Sequence, residues 1–291
     1  MFKKNKKSTP PSSKDGGVDY GEQNNSMSQS TPMVDIETAL PVPNPLSIPL
    51  GRFEDGSELA WDVPWEPHMV VIGHRGSGKS VMQRNVLLHC AQYPEVFEVA
   101  GIDLKKTEIL PYLGKSPVLK TVVTDALSAQ GLMVSMHKEL ETRYKRMNDE
   151  YVNNFRDLAN PPKRLIILAD EIGFLLDTEL ATAAKDPQKP DDIMNFSMLF
   201  KQISLLGRAA GMHLVISSQA MEDPFFKKMK DPMAVAFVGM GYIDPNIAKD
   251  ILGDENACEP NGSIQGRGYF SHGRKSGKFQ SYYADVSSLP K

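Results

Sequence analysis

Short, wholly apolar runs alternate with polar stretches of helical periodicity along most of the chain. Met69-Val70-Val71-Ile72, Val96-Phe97-Glu98-Val99-Ala100-Gly101-Ile102-Asp103, Thr121-Val122-Val123-Thr124-Asp125 and Leu165-Ile166-Ile167-Leu168-Ala169 offer no regular wet face. They predict strands covered on both sides, as in a parallel sheet beneath helices. His213-Leu214-Val215-Ile216-Ser217-Ser218-Gln219 and Ala234-Val235-Ala236-Phe237-Val238 continue the series. Helices are expected after residue 80, over 126–153, over 195–210 and near 247–252. In the second of these, Leu132, Met136, Leu140, Tyr144 and Met147 recur on one face. Most of its charges, Lys138, Glu139, Glu141, Arg143, Lys145 and Arg146, belong on the wet side in this reading. Asp55-Gly56 ahead of Leu59-Ala60-Trp61 predicts a hairpin, and residues 268–270 and 279–283 predict closing strands. The expected class is α/β, with a mostly parallel central sheet covered by helices on both faces.

Residues 1–44 break this pattern. They are rich in Ser, Pro, Asn and Lys, lack periodicity, and read as a disordered tail ahead of a folded domain over 45–291. A second irregular stretch, residues 177–192 with Asp186-Pro187-Gln188-Lys189-Pro190, reads as an exposed loop. No apolar run approaches the ~18 residues of a membrane helix, and the charged N-terminus lacks a signal peptide's apolar segment. Cys90 and Cys258 stand far apart, which suits a reducing cytoplasm. The six histidines show no zinc-ligand spacing. A net charge of −3 excludes molecule-wide attraction to nucleic acid, so any DNA contact needs a local basic surface. The candidates are the tail lysines (Lys3, Lys4, Lys6, Lys7, Lys14) and the cluster Lys227, Lys228 and Lys230.

Chemistry enters with Gly73-His74-Arg75-Gly76-Ser77-Gly78-Lys79-Ser80, which fits G-x-x-x-x-G-K-[ST] at every defined position. The apolar run before it and Val81 onward after it supply the strand–loop–helix context the motif requires. Such glycines let successive N–H groups converge on phosphate oxygens at a helix N-terminus. Lys79 is expected to reach the β- and γ-phosphates of ATP, and Ser80 to ligate Mg²⁺. Asp170-Glu171 closes the strand 165–169, at the sheet end where open α/β folds bind ligands. Asp170 is the expected second Mg²⁺ partner, and Glu171 the expected base for the attacking water. Strands between loop and acidic pair, and Glu beside Asp, resemble RecA-like motors. By that resemblance Gln219 is the candidate γ-phosphate sensor. A cation from a neighbouring subunit would neutralise the developing charge. Arg208 is the first candidate for it and Arg267 the second.

Several segments together resemble the motor domain of the FtsK/SpoIIIE family of double-stranded DNA translocases. They are Ile48-Pro49-Leu50-Gly51, Pro67-His68-Met69-Val70-Val71-Ile72-Gly73, Ile102-Asp103-Leu104-Lys105, Pro111-Tyr112 and Glu141-Thr142-Arg143-Tyr144-Lys145-Arg146-Met147. Most specific is Leu206-Gly207-Arg208-Ala209-Ala210-Gly211-Met212-His213-Leu214. The resemblance implies a hexameric ring that threads duplex DNA while hydrolysing ATP, a small version of the kind found on phages and mobile elements. A membrane, relaxase or packaging partner would direct it. The alternatives are a conjugative coupling or protein-export ATPase, and a nucleotide-dependent switch that moves nothing. Where the family shows an arginine after an Ala-Phe pair and an Asp-Ser-Arg triplet, this chain has Val238 and Asp244-Pro245-Asn246. His74-Arg75 likewise replaces small residues in the phosphate loop.

Overall fold

A computed structural model describes residues 34–35, 44–175, 196–219, 235–257, 264–273 and 275–283. Its strands in chain order are β1 (Val34–Asp35), β2 (Ser47–Phe53), β3 (Glu58–Asp62), β4 (His68–Gly73), β5 (Phe97–Asp103), β6 (Leu119–Val123), β7 (Arg164–Asp170), β8 (Met212–Ser218), β9 (Val235–Met240), β10 (Arg267–His272) and β11 (Lys275–Tyr283). The main helices are α1 (Lys79–Gln92), α2 (Ala126–Asp149) and α3 (Phe196–Ala210). One sheet holds these strands in the order β3-β2-β11-β10-β9-β4-β8-β7-β5-β6, and β1 pairs with β11. The run from β9 to β6 is parallel, and the four pairings from β3 to β9 are antiparallel.

Alternation along the strands divides the interior into two layers. Val70 and Ile72 of β4 pack with Leu132 and Met133 of α2 and with Phe200 and Ile203 of α3. Met69 and Val71, the residues between, pack on the other face with Met82 and Val86 of α1 and with Trp61. Ile167 and Ala169 of β7 join the first layer, and Ile166 and Leu168 the second. Every residue of β4, β7, β8 and β9 is buried, which is why these runs carry no polar alternation. The hairpin at Asp55-Gly56 is present, with Gly56 at φ 84 and Phe53 accepting its N–H at 3.0 Å. Asp125 caps α2 by accepting the Ser128 N–H at 2.9 Å.

Two local expectations change. Helix α2 ends at Asp149, not 153, and Arg143 is not on its wet side. Arg143 is 4% exposed and donates to the carbonyls of Ala210 (2.8 Å) and Gly211 (3.3 Å), closing the orphaned end of α3. Phe155 lies beneath this junction, with the Arg164 guanidinium 4.9 Å from its ring centroid. Gly211 adopts φ 70, and a side chain there would run into the Phe155 ring. The tail lies outside the described residues apart from β1 and Asn44, as do the loop over 177–192 and Cys258.

The strand carrying the phosphate loop, β4, and the strand carrying the acidic pair, β7, are separated by β8 alone. All three run parallel, so their C-terminal ends share one edge of the sheet. This is a RecA-like P-loop NTPase arrangement.

Candidate functional site

Strand β4 leads directly into the glycine loop, and α1 begins at Lys79. Gly78 takes φ 112 and Gly76 φ 79, turns that a side chain would strain. At Gly73 a side chain would strike the Met240 carbonyl of the neighbouring strand β9, so only glycine fits there. The α1 N-terminus leaves its first N–H groups without helical acceptors, a positive cradle for phosphate. Lys79, 7% exposed, donates through Nζ to the carbonyls of Gly73 (2.7 Å) and His74 (2.9 Å). Burial lowers its pKa, and the nearby carboxylates of Glu171 and Asp170 oppose that shift.

A cleft of about 400 Å³ opens beside the loop, lined by Arg75, Gly76, Gly78, Lys79, Ser80 and Val81. The other expected loop residues do not line it. His74 packs its ring against Gly241, and the Ser77 hydroxyl is buried without a hydrogen bond. The far wall comes from Gln265, Gly266 and residues 280–283 of β11. The place of that wall in the site was not legible beforehand. It is fixed by long-range main-chain bonds, Gly266 N–H to Ser77 at 3.2 Å and Ser281 N–H to Gly266 at 2.8 Å. Asn85 of α1 donates to the Tyr282 carbonyl at 2.9 Å and holds the wall to the helix.

The acidic pair stands on the same edge. Asp170 is 2% exposed and accepts the Ser217 hydroxyl at Oδ1 (2.6 Å), while Oδ2 has no hydrogen bond. Burial raises its pKa, partly offset by Ser217 and the Lys105 ammonium. A buried carboxylate oxygen without a hydrogen-bond donor, close enough to the phosphate loop to interact with Lys79, fits the hard-oxygen demand of Mg²⁺. Glu171 behaves differently. Burial alone would raise its pKa, yet it sits below the usual range because of the Gln219 N–H, the Lys105 ammonium and the Gln219 amide. Gln219 donates its main-chain N–H to Oε1 at 3.0 Å and its side-chain amide to Oε2. Lys105 Nζ donates to Oε2 at 3.1 Å. The structure thus brings Gln219, the candidate γ-phosphate sensor, to the acidic pair, and Lys105 is an addition. Its advance signals were its place in the family-like segment Ile102-Asp103-Leu104-Lys105 and its position two residues after the Asp103 that ends β5, neither of which pointed to the acidic pair.

The two arginine candidates lie apart. Arg208, near the end of α3, donates to the Pro64 carbonyl at 3.1 Å and lies 5.8 Å from the Trp65 ring centroid. Pro64 and Trp65 precede β4, so Arg208 stands at the edge of the sheet opposite the phosphate loop. It does not meet Lys79 within one chain. Arg267 opens β10 on the phosphate-loop edge and pairs with Glu54 at 2.6 Å. Lys227, Lys228 and Lys230 lie outside the described residues. Val238 is a fully buried core residue, and Asp244 caps the turn Pro245–Ile247, so neither departure from the resemblance leaves a gap.

Similarity to known proteins agrees with this geometry. DNA translocase FtsK of Campylobacter jejuni subsp. jejuni (strain 81-176) is 26% identical over 238 residues, 77% of this chain and 23% of that protein. DNA translocase FtsK of Helicobacter pylori (strain 26695) is 28% identical over 188 residues, 60% of this chain and 20% of that protein. The chain therefore spans about a quarter of the length of these relatives or less. Among solved structures, the pCW3 conjugation coupling protein TcpA, monomer form with ATPγS, superposes with a TM-score of 0.70 at 20% identity. That match covers 84% of this chain and 68% of that one. The cytoplasmic domain of the Type VII secretion ATPase EccC from Thermomonospora curvata gives 0.66 at 24%, covering 84% and 29%. The FtsK/SpoIIIE family model matches residues 42–188, about half the chain. With its phosphate loop and acidic pair joined on one sheet edge, this chain belongs to the FtsK/SpoIIIE family of P-loop ATPases.

Proposed function

We propose that the protein is an ATP-driven double-stranded DNA translocase that works as a ring, hexameric in this reading. The observation that carries the proposal is the convergence of Lys79, Asp170, Glu171 and Gln219 on one edge of the sheet, across the single strand β8. The relatives named DNA translocase FtsK support DNA as the moved substrate.

The loop amides and Lys79 hold the phosphates of ATP, and Lys79 must leave the Gly73 and His74 carbonyls to do so. Ser80 and Asp170 hold Mg²⁺. When bound, that ion neutralises charge on the phosphate oxygens. Glu171 accepts a proton at its carboxylate from the attacking water. Gln219 orients Glu171 and senses the γ-phosphate. A neighbouring subunit supplies a cation, Arg208 or Arg267. Arg208 lies on the opposite edge from its own loop, so in this reading it acts in trans.

Residues 45–291 form the motor in this reading, preceded by the tail over 1–44. Among the described residues no helix is long and apolar enough to cross a membrane. We place the protein in the cytoplasm, with a membrane, relaxase or packaging protein as its partner. A conjugative coupling or protein-export ATPase is the second reading, favoured by the fold shared with TcpA and EccC. Displacement of a third strand from linear duplex DNA separates the two. ATP-dependent displacement supports the translocase, and hydrolysis without displacement moves the assignment to coupling or export.

A further inference from the structure

Lys105 is delivered to the acidic pair by a constructed turn. Strand β5 pairs with β7 so that Asp103 stands opposite Asp170. The buried Asp103 carboxylate accepts the N–H groups of Glu108 (2.9 Å), Ile109 (2.8 Å) and Leu110 (3.0 Å) at one oxygen. Its carbonyl accepts the Lys106 N–H at 3.1 Å, and Lys106 adopts φ 62. That scaffold projects Lys105 across to β7, where Nζ lies 3.1 Å from Glu171 Oε2 and 3.8 Å from Asp170 Oδ2.

Glu171 is restrained from every side that matters to a base. Its main chain is held at φ 53, and its N–H donates to the Ser217 hydroxyl at 3.3 Å. Oε1 accepts from the Gln219 N–H, and Oε2 accepts from both the Gln219 amide and Lys105. A carboxylate must turn a lone pair toward the water it deprotonates, and a carboxylate already holding three protein donors opposes that.

We infer that Lys105 is a positioning residue that holds Glu171 in a resting placement and must release it for hydrolysis. The inference rests on reading Glu171 as the base. Lys79 and Lys105 together face Asp170 and Glu171, and a divalent cation held by Asp170 would add positive charge against Lys105 and weaken its hold. The Lys105 side chain is 45% exposed and free to swing outward. A partly exposed ion pair contributes up to about 1 kcal/mol, which bounds the restraint at roughly fivefold in rate.

The test uses the full chain without DNA, comparing Lys105→Met, Lys105→Arg, Glu171→Gln and the Lys105→Met/Glu171→Gln double variant. Steady-state hydrolysis gives kcat and KM, and a fluorescent ADP analogue gives affinity without turnover. Lys105→Met raises kcat about three- to fivefold with KM and ADP affinity unchanged. Lys105→Arg retains the wild-type rate, and the double variant is as slow as Glu171→Gln alone. A Lys105→Met kcat at or below wild type overturns the restraint, as does weakened ADP affinity, which would place Lys105 on the nucleotide. Wild-type hydrolysis by Glu171→Gln instead overturns the reading of Glu171 as base, whatever Lys105→Met does.

Discussion

The Ser217 hydroxyl donates to Asp170 Oδ1 at 2.6 Å, tying the middle strand of the motor sheet to the acidic pair. Ser217 lies between the two chemical strands and holds the carboxylate that would otherwise be buried without a donor. Removing the hydroxyl leaves Asp170 with Lys105 as its remaining polar partner. Ser217→Ala is expected to lower stability by about 1–3 kcal/mol in urea unfolding and to raise the Mg²⁺ concentration needed for half-maximal hydrolysis. Unchanged values for both would show that the hydroxyl neither supports nor orients Asp170.

The family-like segment Leu206-Gly207-Arg208-Ala209-Ala210-Gly211 acts here as a packing joint at the edge of the sheet away from the phosphates. Gly211→Ala forces a side chain into the Phe155 ring at φ 70. A loss of about 2–4 kcal/mol is expected from strain and displacement together. Gly56→Ala, at φ 84 with nothing within 4 Å, meets only the backbone term and should cost about 1 kcal/mol. Equal losses in paired thermal melts would remove Phe155 from the explanation.

How much of this was legible in the sequence depends on the range of each contact. The buried strands and the loop–helix start declared themselves because each is fixed by neighbours a few residues away. Lys105 did not, because its role exists only once β5 and β7 pair in register. Arg143 was misplaced for a similar reason. Helical spacing puts it beside Glu139, with which it does pair at 2.7 Å, but the carbonyls that bury it lie 67 and 68 residues on. The 280–283 wall of the cleft, about 200 residues from the phosphate loop, was legible as a strand but carried no local signature of its place in the site.

Acid sensitivity follows from two buried histidines. Burial holds His68 down at about 3, and His213, facing Arg164 and Arg143, is also lowered well below its ordinary value. In the unfolded chain both imidazoles take up a proton near pH 6.5. Between that value and the folded pKa the unfolded state binds more protons. Stability is therefore full above pH 6.5 and declines below it, each histidine adding a slope approaching about 1.4 kcal/mol per pH unit. His68→Asn keeps an acceptor for the Leu214 N–H and should flatten the decline between pH 7 and pH 5. Identical urea midpoints against pH in the two proteins would exclude His68 as the source.

The central claim, hydrolysis coupled to duplex DNA, is tested most directly by measuring ATP turnover with and without linear double-stranded DNA. Lys79→Ala serves as the control. The account predicts strong stimulation at low salt, weakening as salt screens the phosphate contacts, and no turnover in Lys79→Ala. Wild-type hydrolysis indifferent to DNA across that salt range would contradict it.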